Sequence, residues 1–317
     1  MLTLHDIIAA RPHVYRFLHP TPLHHYAGLS QLTGAQVWVK HENHQPVGAF
    51  KVRGGLNYVA GLSAAQRQAG LYTASTGNHG QSIAFAARAF GVCATVAMPE
   101  QANPDKVAAM RGLGAEVVFH GPDFDTAREW MMQVAAERGG VFVGPTDEPL
   151  ICGVGTYGLE ILEDLPDVDV IIVPVGAGSG ACGTGIVAKA INPRIQVIGV
   201  QSAQAPAMQR SWASGQLTTA EMRTFAEGIA TRVPFENTQL IMRHVVDDFV
   251  LVDDADIQRA ILLLLEHTHN LAEGAGAAPL AAALQIKERL AGKKVVLVLS
   301  GGNLAVATLL RTLLDHS

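Results

Sequence analysis

The feature that most constrains this chain is an alternation beginning near residue 70, in which short β-branched runs are separated by Ala-rich stretches of helical pattern. Runs at 92–98, 116–119, 141–143, 168–173, 196–200, 249–252 and 294–299 read as strands, and several are apolar throughout, as strands covered on both faces are. That rhythm predicts βαβ units and therefore an α/β fold with open parallel sheets flanked by helices. Helix signals fall between the runs. Asn103-Pro104-Asp105 supplies a cap, a proline for the first helical position and an acid for the first turn, and Gly112 or Gly114 closes the segment. Asp253-Asp254 opens another helix running to His269, with Ile257, Ile261, Leu264 and Leu265 on one apolar face that reads as core.

At 317 residues, 49% hydrophobic and 16% charged, the chain is long and apolar enough to bury a large core. A net charge of -5 without any basic run argues against nucleic acid as a partner. Cys93, Cys152 and Cys182 have no CxxC spacing and no histidine at ligand spacing, which fits reduced thiols better than a disulfide framework or a zinc site. The N-terminal stretch lacks the basic and apolar regions of a signal peptide, and the longest aliphatic run, 261–265, is too short to span a bilayer. The expectation is a soluble, cytoplasmic protein with no membrane partner. Its division is expected to be two-part, with residues 59–149 a self-sufficient βα set inserted between 1–58 and 150–317, and with Gly61 and Gly144-Pro145 at its edges.

Four stretches carry chemistry. Lys51 lies between Phe50 and a Gly-rich turn; a lysine that reacts does so as a partly desolvated amine able to form a Schiff base with a carbonyl, though a solvated charge would satisfy the same residue. Ser75-Thr76-Gly77-Asn78-His79-Gly80 precedes the helical segment 81–90, where free backbone N–H groups and the helix dipole suit a carboxylate; the same string also serves as a plain helix start. Gly176-Ala177-Gly178-Ser179-Gly180 follows a strand and precedes a helix expected near Ala181, and its amides suit a phosphate. It is neither a Walker loop nor a complete dinucleotide fingerprint. Ser300-Gly301-Gly302-Asn303 stands in the same relation to the last strand. In an open parallel sheet, loops after the carboxyl ends of strands gather in one crevice, so these turns are expected to meet at one ligand. Arg53 reads equally as a charge near that ligand or as an ion-pair partner, while His24, His25, His120, His267 and His269 read as structural or surface residues.

At these residues the sequence resembles the serine/threonine dehydratase and serine racemase family of fold-type-II pyridoxal-phosphate enzymes. The resemblance runs in order through Thr21-Pro22-Leu23, Glu42-Asn43-His44-Gln45, Phe50-Lys51-Val52-Arg53-Gly54, the 75–80 and 176–180 turns, Met98-Pro99, Glu273-Gly274-Ala275-Gly276 and Ser300 to Asn303. It implies the two-domain fold of the tryptophan synthase β-subunit-like enzymes, with 1–58 plus 150–317 as the larger, cofactor-binding domain and 59–149 as the smaller domain bearing the substrate loop. It implies pyridoxal 5'-phosphate as cofactor, a small amino-acid substrate, and a homodimer or higher homo-oligomer. Lys51 would carry the cofactor and then act as base at the substrate Cα, with Thr76 as a second catalytic group. Phe50, Asn78, Gly176, Ala177, Gly178, Ser179, Gly180, Glu273 and Ser300 would bind cofactor, and Ser75, Thr76, Gly77, Asn78 and His79 the substrate.

The implied reaction is β-elimination of a hydroxyamino acid such as L-threonine or L-serine to a 2-oxo acid and ammonia, since a serine hydroxyl at the pyridine nitrogen cannot hold it protonated as a carboxylate would. A racemase or β-replacement synthase on the same scaffold is the alternative. A dinucleotide-binding oxidoreductase or a non-catalytic nucleotide-binding module is a more distant one, and it gives Lys51 no role. Three departures qualify the resemblance. Thr76 stands where the racemases carry a serine; the phosphate loop is Gly-Ala-Gly-Ser-Gly rather than a four-glycine run; and Gln201-Ser202-Ala203-Gln204-Ala205-Pro206 replaces the acidic residues of the family's divalent-cation site, so no metal is expected. The chain ends at Ser317 without a regulatory domain, so feedback inhibition by isoleucine is not expected.

Overall fold

A computed structural model describes residues 2–315, in two sheets whose strands are β1 (Leu23–His25), β2 (Gln36–His41), β3 (Leu71–Ala74), β4 (Ala94–Met98), β5 (Glu116–Phe119), β6 (Val141–Phe142), β7 (Val170–Pro174), β8 (Gln196–Ser202), β9 (Asp248–Val252) and β10 (Lys294–Leu299). The larger sheet has the order β1-β2-β10-β7-β8-β9 and is parallel except for the antiparallel edge strand β1. The smaller sheet, β5-β4-β3-β6, is parallel throughout.

The continuous apolar runs have the predicted cause. In β7, Val170 and Ile172 enter one core while Ile171 and Val173 enter the other, and β10 divides Val295, Leu297 and Leu299 from Val296 and Val298 in the same way. Successive side chains point to opposite faces, and both faces are covered, so neither can be polar. The buried helix Gly274–Gln285 covers one face; Glu148–Asp164 and Ser179–Ile191 cover the other.

Helix ends follow the sequence signals. The Asn103 side chain accepts from the Asp105 N–H at 2.9 Å, and Pro104 is the first residue of the helix Pro104–Gly112. The helix Asp254–Thr268 ends at His269, whose φ of 57° turns the chain out of helical geometry. Ile257, Ile261 and Leu264 are buried on its inner face, but Leu265 is exposed, one residue too far around the helix.

Strand β2 lies inside the larger sheet, between β1 and β10, with Val37 and Val39 buried in the core. Its last two residues, Lys40 and His41, are buried polar groups whose partners come from elsewhere in the chain. The helix Lys51–Ala60 follows β2 closely in sequence, yet Val52, Leu56 and Val59 pack with Leu71, Ile83, Val96 and Met98 beneath the smaller sheet. Its first residue, Lys51, therefore stands at the junction of the two sheets.

Candidate active site

The Phe50 N–H donates to the Ser300 carbonyl at 3.0 Å and Ala49 pairs with Gly301, so the lysine turn is fastened to the turn after β10. The Lys51 carbonyl accepts from the Ser82 hydroxyl at 2.6 Å, which fastens it to the helix Asn78–Phe90. Lys51 Nζ lies 5.0 Å from the centre of the Phe50 ring. That ring meets Tyr157 edge-on at 6.1 Å, and the Tyr157 hydroxyl donates to the Gly180 carbonyl at 3.2 Å. Backbone and side-chain contacts thus join the lysine to all three glycine-containing turns, since Asn78 of the first reaches Glu273 and Asn303.

Lys51 and Glu273 keep some surface open to a cleft, but the protein packed around them removes most of their water. Desolvation pulls the Lys51 ammonium down to about 8, against the opposing influence of the Glu273 charge. Desolvation also pushes Glu273 up to about 7, while the amide hydrogen bond from Asn78 and the Lys106 charge work the other way and Glu227 adds to the rise. Near neutral pH an amine and a carboxylic acid facing one site both sit close to their titration points, a condition for moving protons without large uphill steps.

The turn at 176–180 enters the helix Ser179–Ile191, whose first bond of the i to i−4 kind runs from Cys182 N–H to the Gly178 carbonyl at 2.9 Å. The amides of Ser179, Gly180 and Ala181 precede it and have no intrahelical acceptor. At the other turn, the bond from Gln81 N–H to the Gly77 carbonyl leaves the amides of Asn78, His79 and Gly80 in the same condition. Gly176 is packed so closely that a Cβ there would overlap the Gly228 carbonyl, part of the one-turn segment Glu227–Ile229 that lies over the phosphate-binding candidate. One buried amine, two helix starts rich in N–H donors, the Asn78 amide and the Ser300 hydroxyl fit a ligand with a carbonyl, a phosphate and a carboxylate partner.

Of the residues expected at the site, Lys51, Phe50, Asn78, Gly180, Glu273 and Ser300 are joined by these contacts. His79 is the exception at side-chain level: its Nε2 lies 3.0 Å from Thr73 Oγ1 and 3.2 Å from the Val143 carbonyl, beneath the loop. Burial, with the Lys51 charge, holds its imidazole down to about 4, so it is neutral near pH 7. Ser75 also works locally, its hydroxyl accepting from the Gly77 N–H at 3.1 Å and shaping the turn. Arg53 is an ion-pair partner, bonded to Glu42 and Glu160 away from the cleft.

Tyr157, Thr238 and Gly228 went unnoticed in the sequence. Thr238 Oγ1 donates to the Ala177 carbonyl at 2.7 Å and Gly228 lies against Gly176, both distant in sequence and without a local motif. Among the described residues, no group of three or more His, Cys, Asp and Glu side chains is placed to hold a metal ion. Gln201 is instead an amide link, donating to Thr231 Oγ1 at 2.8 Å and accepting from the Gln209 N–H at 3.2 Å. No described helix is long and apolar enough to cross a membrane.

Comparison with known proteins bears on the same cleft. The sequence model of the family described as pyridoxal-phosphate dependent enzyme matches residues 14–301. An L-threonine ammonia-lyase of Thermotoga maritima is 43% identical over 308 residues, which cover 96% of this chain and 77% of that one. A catabolic L-threonine dehydratase of Staphylococcus aureus is 40% identical over 309 residues, 96% of this chain and 89% of the other. Among solved structures, threonine deaminase isoform 2 from Solanum lycopersicum superposes with a TM-score of 0.93 at 32% identity, covering 98% of this chain and 91% of its own. Maize serine racemase gives a TM-score of 0.93 at 31% identity, covering 99% and 97%.

Proposed function

The chain belongs to the pyridoxal-phosphate dependent enzymes, and from that premise we propose that it is an ammonia-lyase of the threonine/serine dehydratase type, converting a β-hydroxy amino acid to a 2-oxo acid and ammonia. The observation that carries the reading is the placement of Lys51, a desolvated amine opposite Glu273 at the meeting point of the three turns. Bound pyridoxal phosphate supplies a carbonyl that takes up an amine and a ring that accepts the electron pair released at Cα.

The chain's own residues do the rest. Lys51, neutral in part near pH 8, would hold the cofactor and, as a free amine, would take the Cα proton. The Thr76 hydroxyl and the amides at the start of Asn78–Phe90 bind the substrate carboxylate, while the amides of 179–181 hold the phosphate. Asn78, which donates to Glu273 at 2.7 Å, would donate with its other N–H to the cofactor's phenolic oxygen. Ser300 would offer the ring nitrogen a neutral hydroxyl.

We propose that the division into 1–58 plus 150–317 and 59–149 describes the working parts, supported by the confinement of each sheet to one of them. We further place the enzyme in the cytoplasm, in keeping with three unpaired cysteines, and propose a homodimer or larger assembly from the family resemblance. The direct test is visible absorbance of the protein with added pyridoxal phosphate, lost in Lys51→Ala, together with release of 2-oxo acid from L-threonine and L-serine. A colourless wild type, or D-serine accumulation without 2-oxo acid, sinks the assignment.

A further inference from the structure

The turn after β10 ends in Asn303, a residue to which the functional reading gives no task. Asn303 Nδ2 donates to the Val47 carbonyl and to Asn78 Oδ1, each at 2.8 Å. Asn78 Nδ2 in turn donates to Glu273 Oε1 at 2.7 Å. A carboxamide has two ends of similar shape and opposite polarity, and shape alone does not stop it turning over. A backbone carbonyl has no such freedom, because it only accepts.

The Val47 carbonyl therefore decides which end of Asn303 faces it. Asn303 then holds its remaining hydrogen toward Asn78, and Asn78 meets it with its oxygen. What is left to Asn78 is its NH2 group, with one hydrogen on Glu273 and the other available to a ligand. The anchor is built into the backbone: Gly48 has φ of 67°, and a Cβ there would stand 2.6 Å from Asn303 Oδ1. The Gly302 N–H donates to the Gly48 carbonyl at 2.9 Å, so the two turns hold each other in register.

We infer that Asn303 is a positioning residue, which takes its polarity from the Val47 carbonyl and holds the Asn78 amide with its NH2 toward the phenolic oxygen of the bound cofactor. The identity of that ligand rests on the function proposed above, whereas the orientation rests on the hydrogen bonds alone. Asn303→Asp reverses the polarity. A carboxylate can donate to neither neighbour, so Asn78 turns over to donate to it and sets its own oxygen against the cofactor oxygen.

The experiment compares wild type, Asn303→Asp, Asn303→Ala and Asn78→Ala by pH titration of the bound cofactor's visible absorbance and by equilibrium titration of cofactor. Asn303→Asp is expected to move the absorbance midpoint by about one pH unit or more and to weaken cofactor binding at least about tenfold, the range for a hydrogen bond to a charged group. Asn303→Ala, which removes the guide without reversing it, gives a smaller change of the same sign and serves if the aspartate variant does not fold. In an Asn78→Ala background, Asn303→Asp adds nothing further, because the effect passes through Asn78. Unchanged spectra in both Asn303 variants, or shifts that persist without Asn78, overturn the inference. A wild type with no visible band refutes the functional reading instead; the Asn78 side-chain NH2 resonance, expected to follow Glu273 ionisation in wild type and to lose that dependence in Asn303→Asp, then judges the orientation by itself.

Discussion

Replacing Arg53 tests how the lysine-bearing helix is held. Arg53 and Glu42 are 0% exposed, Lys40 is 0% and Glu160 2%. Two cations face two carboxylates, so the group is neutral as a whole. Arg53 donates to Glu42 through Nε at 2.7 Å and Nη2 at 2.8 Å, to Glu160 through Nη1 at 2.6 Å and Nη2 at 2.9 Å, and to Thr156 at 3.1 Å. Every guanidinium hydrogen has an acceptor. Burial alone would push the Glu160 carboxyl up, but Arg53 and then Lys40 outweigh it and hold it below the ordinary range.

Arg53→Met takes away the cation paired with Glu42, leaving it the Thr21 hydroxyl at 2.6 Å, and leaves Glu160 to Lys40 at 2.6 Å and Tyr15 at 2.8 Å. Breaking a buried pair in this way costs about 3–5 kcal/mol, against a total stability of roughly 5–15 kcal/mol for a native protein. Arg53→Lys keeps the charge but loses the two-pronged fit, for a cost of about 1–3 kcal/mol. Urea denaturation of the three proteins measures both. In Arg53→Met the unpaired carboxylate has a raised pKa, so protonation relieves it and the deficit should shrink as the pH falls from about 8 to about 5. A loss below about 1 kcal/mol, the worth of a surface pair, or a deficit indifferent to pH, refutes the buried-network account.

Cofactor uptake by the cofactor-free protein should quicken with rising pH through about 8, because only the neutral Lys51 amine attacks a carbonyl. Glu273→Gln removes the anion that holds the Lys51 pKa up, so the midpoint of the uptake profile should fall; a midpoint that stays or rises contradicts the geometry. Gly176→Ala forces a Cβ onto the Gly228 carbonyl, and the displaced loop should cost about 1–3 kcal/mol in urea and weaken cofactor binding about tenfold. Unaltered affinity and stability would show that the 227–229 segment does not shape the phosphate turn.

The parts of the fold that could be read from sequence were those where one residue type answers to one physical demand. Strands covered on both faces must be apolar, so β7, β8 and β10 announce themselves, and a turn from a strand into an anion-binding helix start needs glycine. Strand β2 carries such a run in Val37-Trp38-Val39, but its end is polar. Lys40 reaches the Thr21 carbonyl at 2.6 Å and His41 Nε2 lies 2.8 Å from the Tyr26 hydroxyl, so burial there is satisfied by partners no local pattern reveals. His79 adjoins Asn78 in sequence, yet one step along a helix turns a side chain through about 100°, from the cleft to the underside of the loop. Arg53 was ambiguous because its two carboxylate partners, Glu42 and Glu160, lie 11 and 107 residues away in the chain.

Two sets of contacts fix the reactive amine, and they differ in stiffness. Toward the substrate turn, the Ser82 hydroxyl is bonded to the Lys51 carbonyl and a Cβ on Gly55 would stand 2.5 Å from Ser82 Oγ, so the helices Lys51–Ala60 and Asn78–Phe90 lie backbone to backbone. Toward the phosphate turn, the connection runs through side chains, from Phe50 to Tyr157 to the Gly180 carbonyl. The helix Lys51–Ala60 also lies backbone to backbone on Glu148–Asp164, where a Cβ on Gly54 would stand 2.8 Å from the Leu150 carbonyl and one on Gly153 2.4 Å from the Arg53 carbonyl, and Arg53 adds its ion pair to Glu160. Backbone contact at close packing yields less than a chain of aromatic rings. The amine is thus set firmly between two helices, and the phosphate turn is the part of its surroundings reached through side chains. Proton abstraction depends on the first placement and cofactor retention on the second. A variant that loosens Tyr157 therefore releases cofactor while leaving the chemistry of the occupied fraction intact, whereas one that enlarges Gly55 harms the chemical step first.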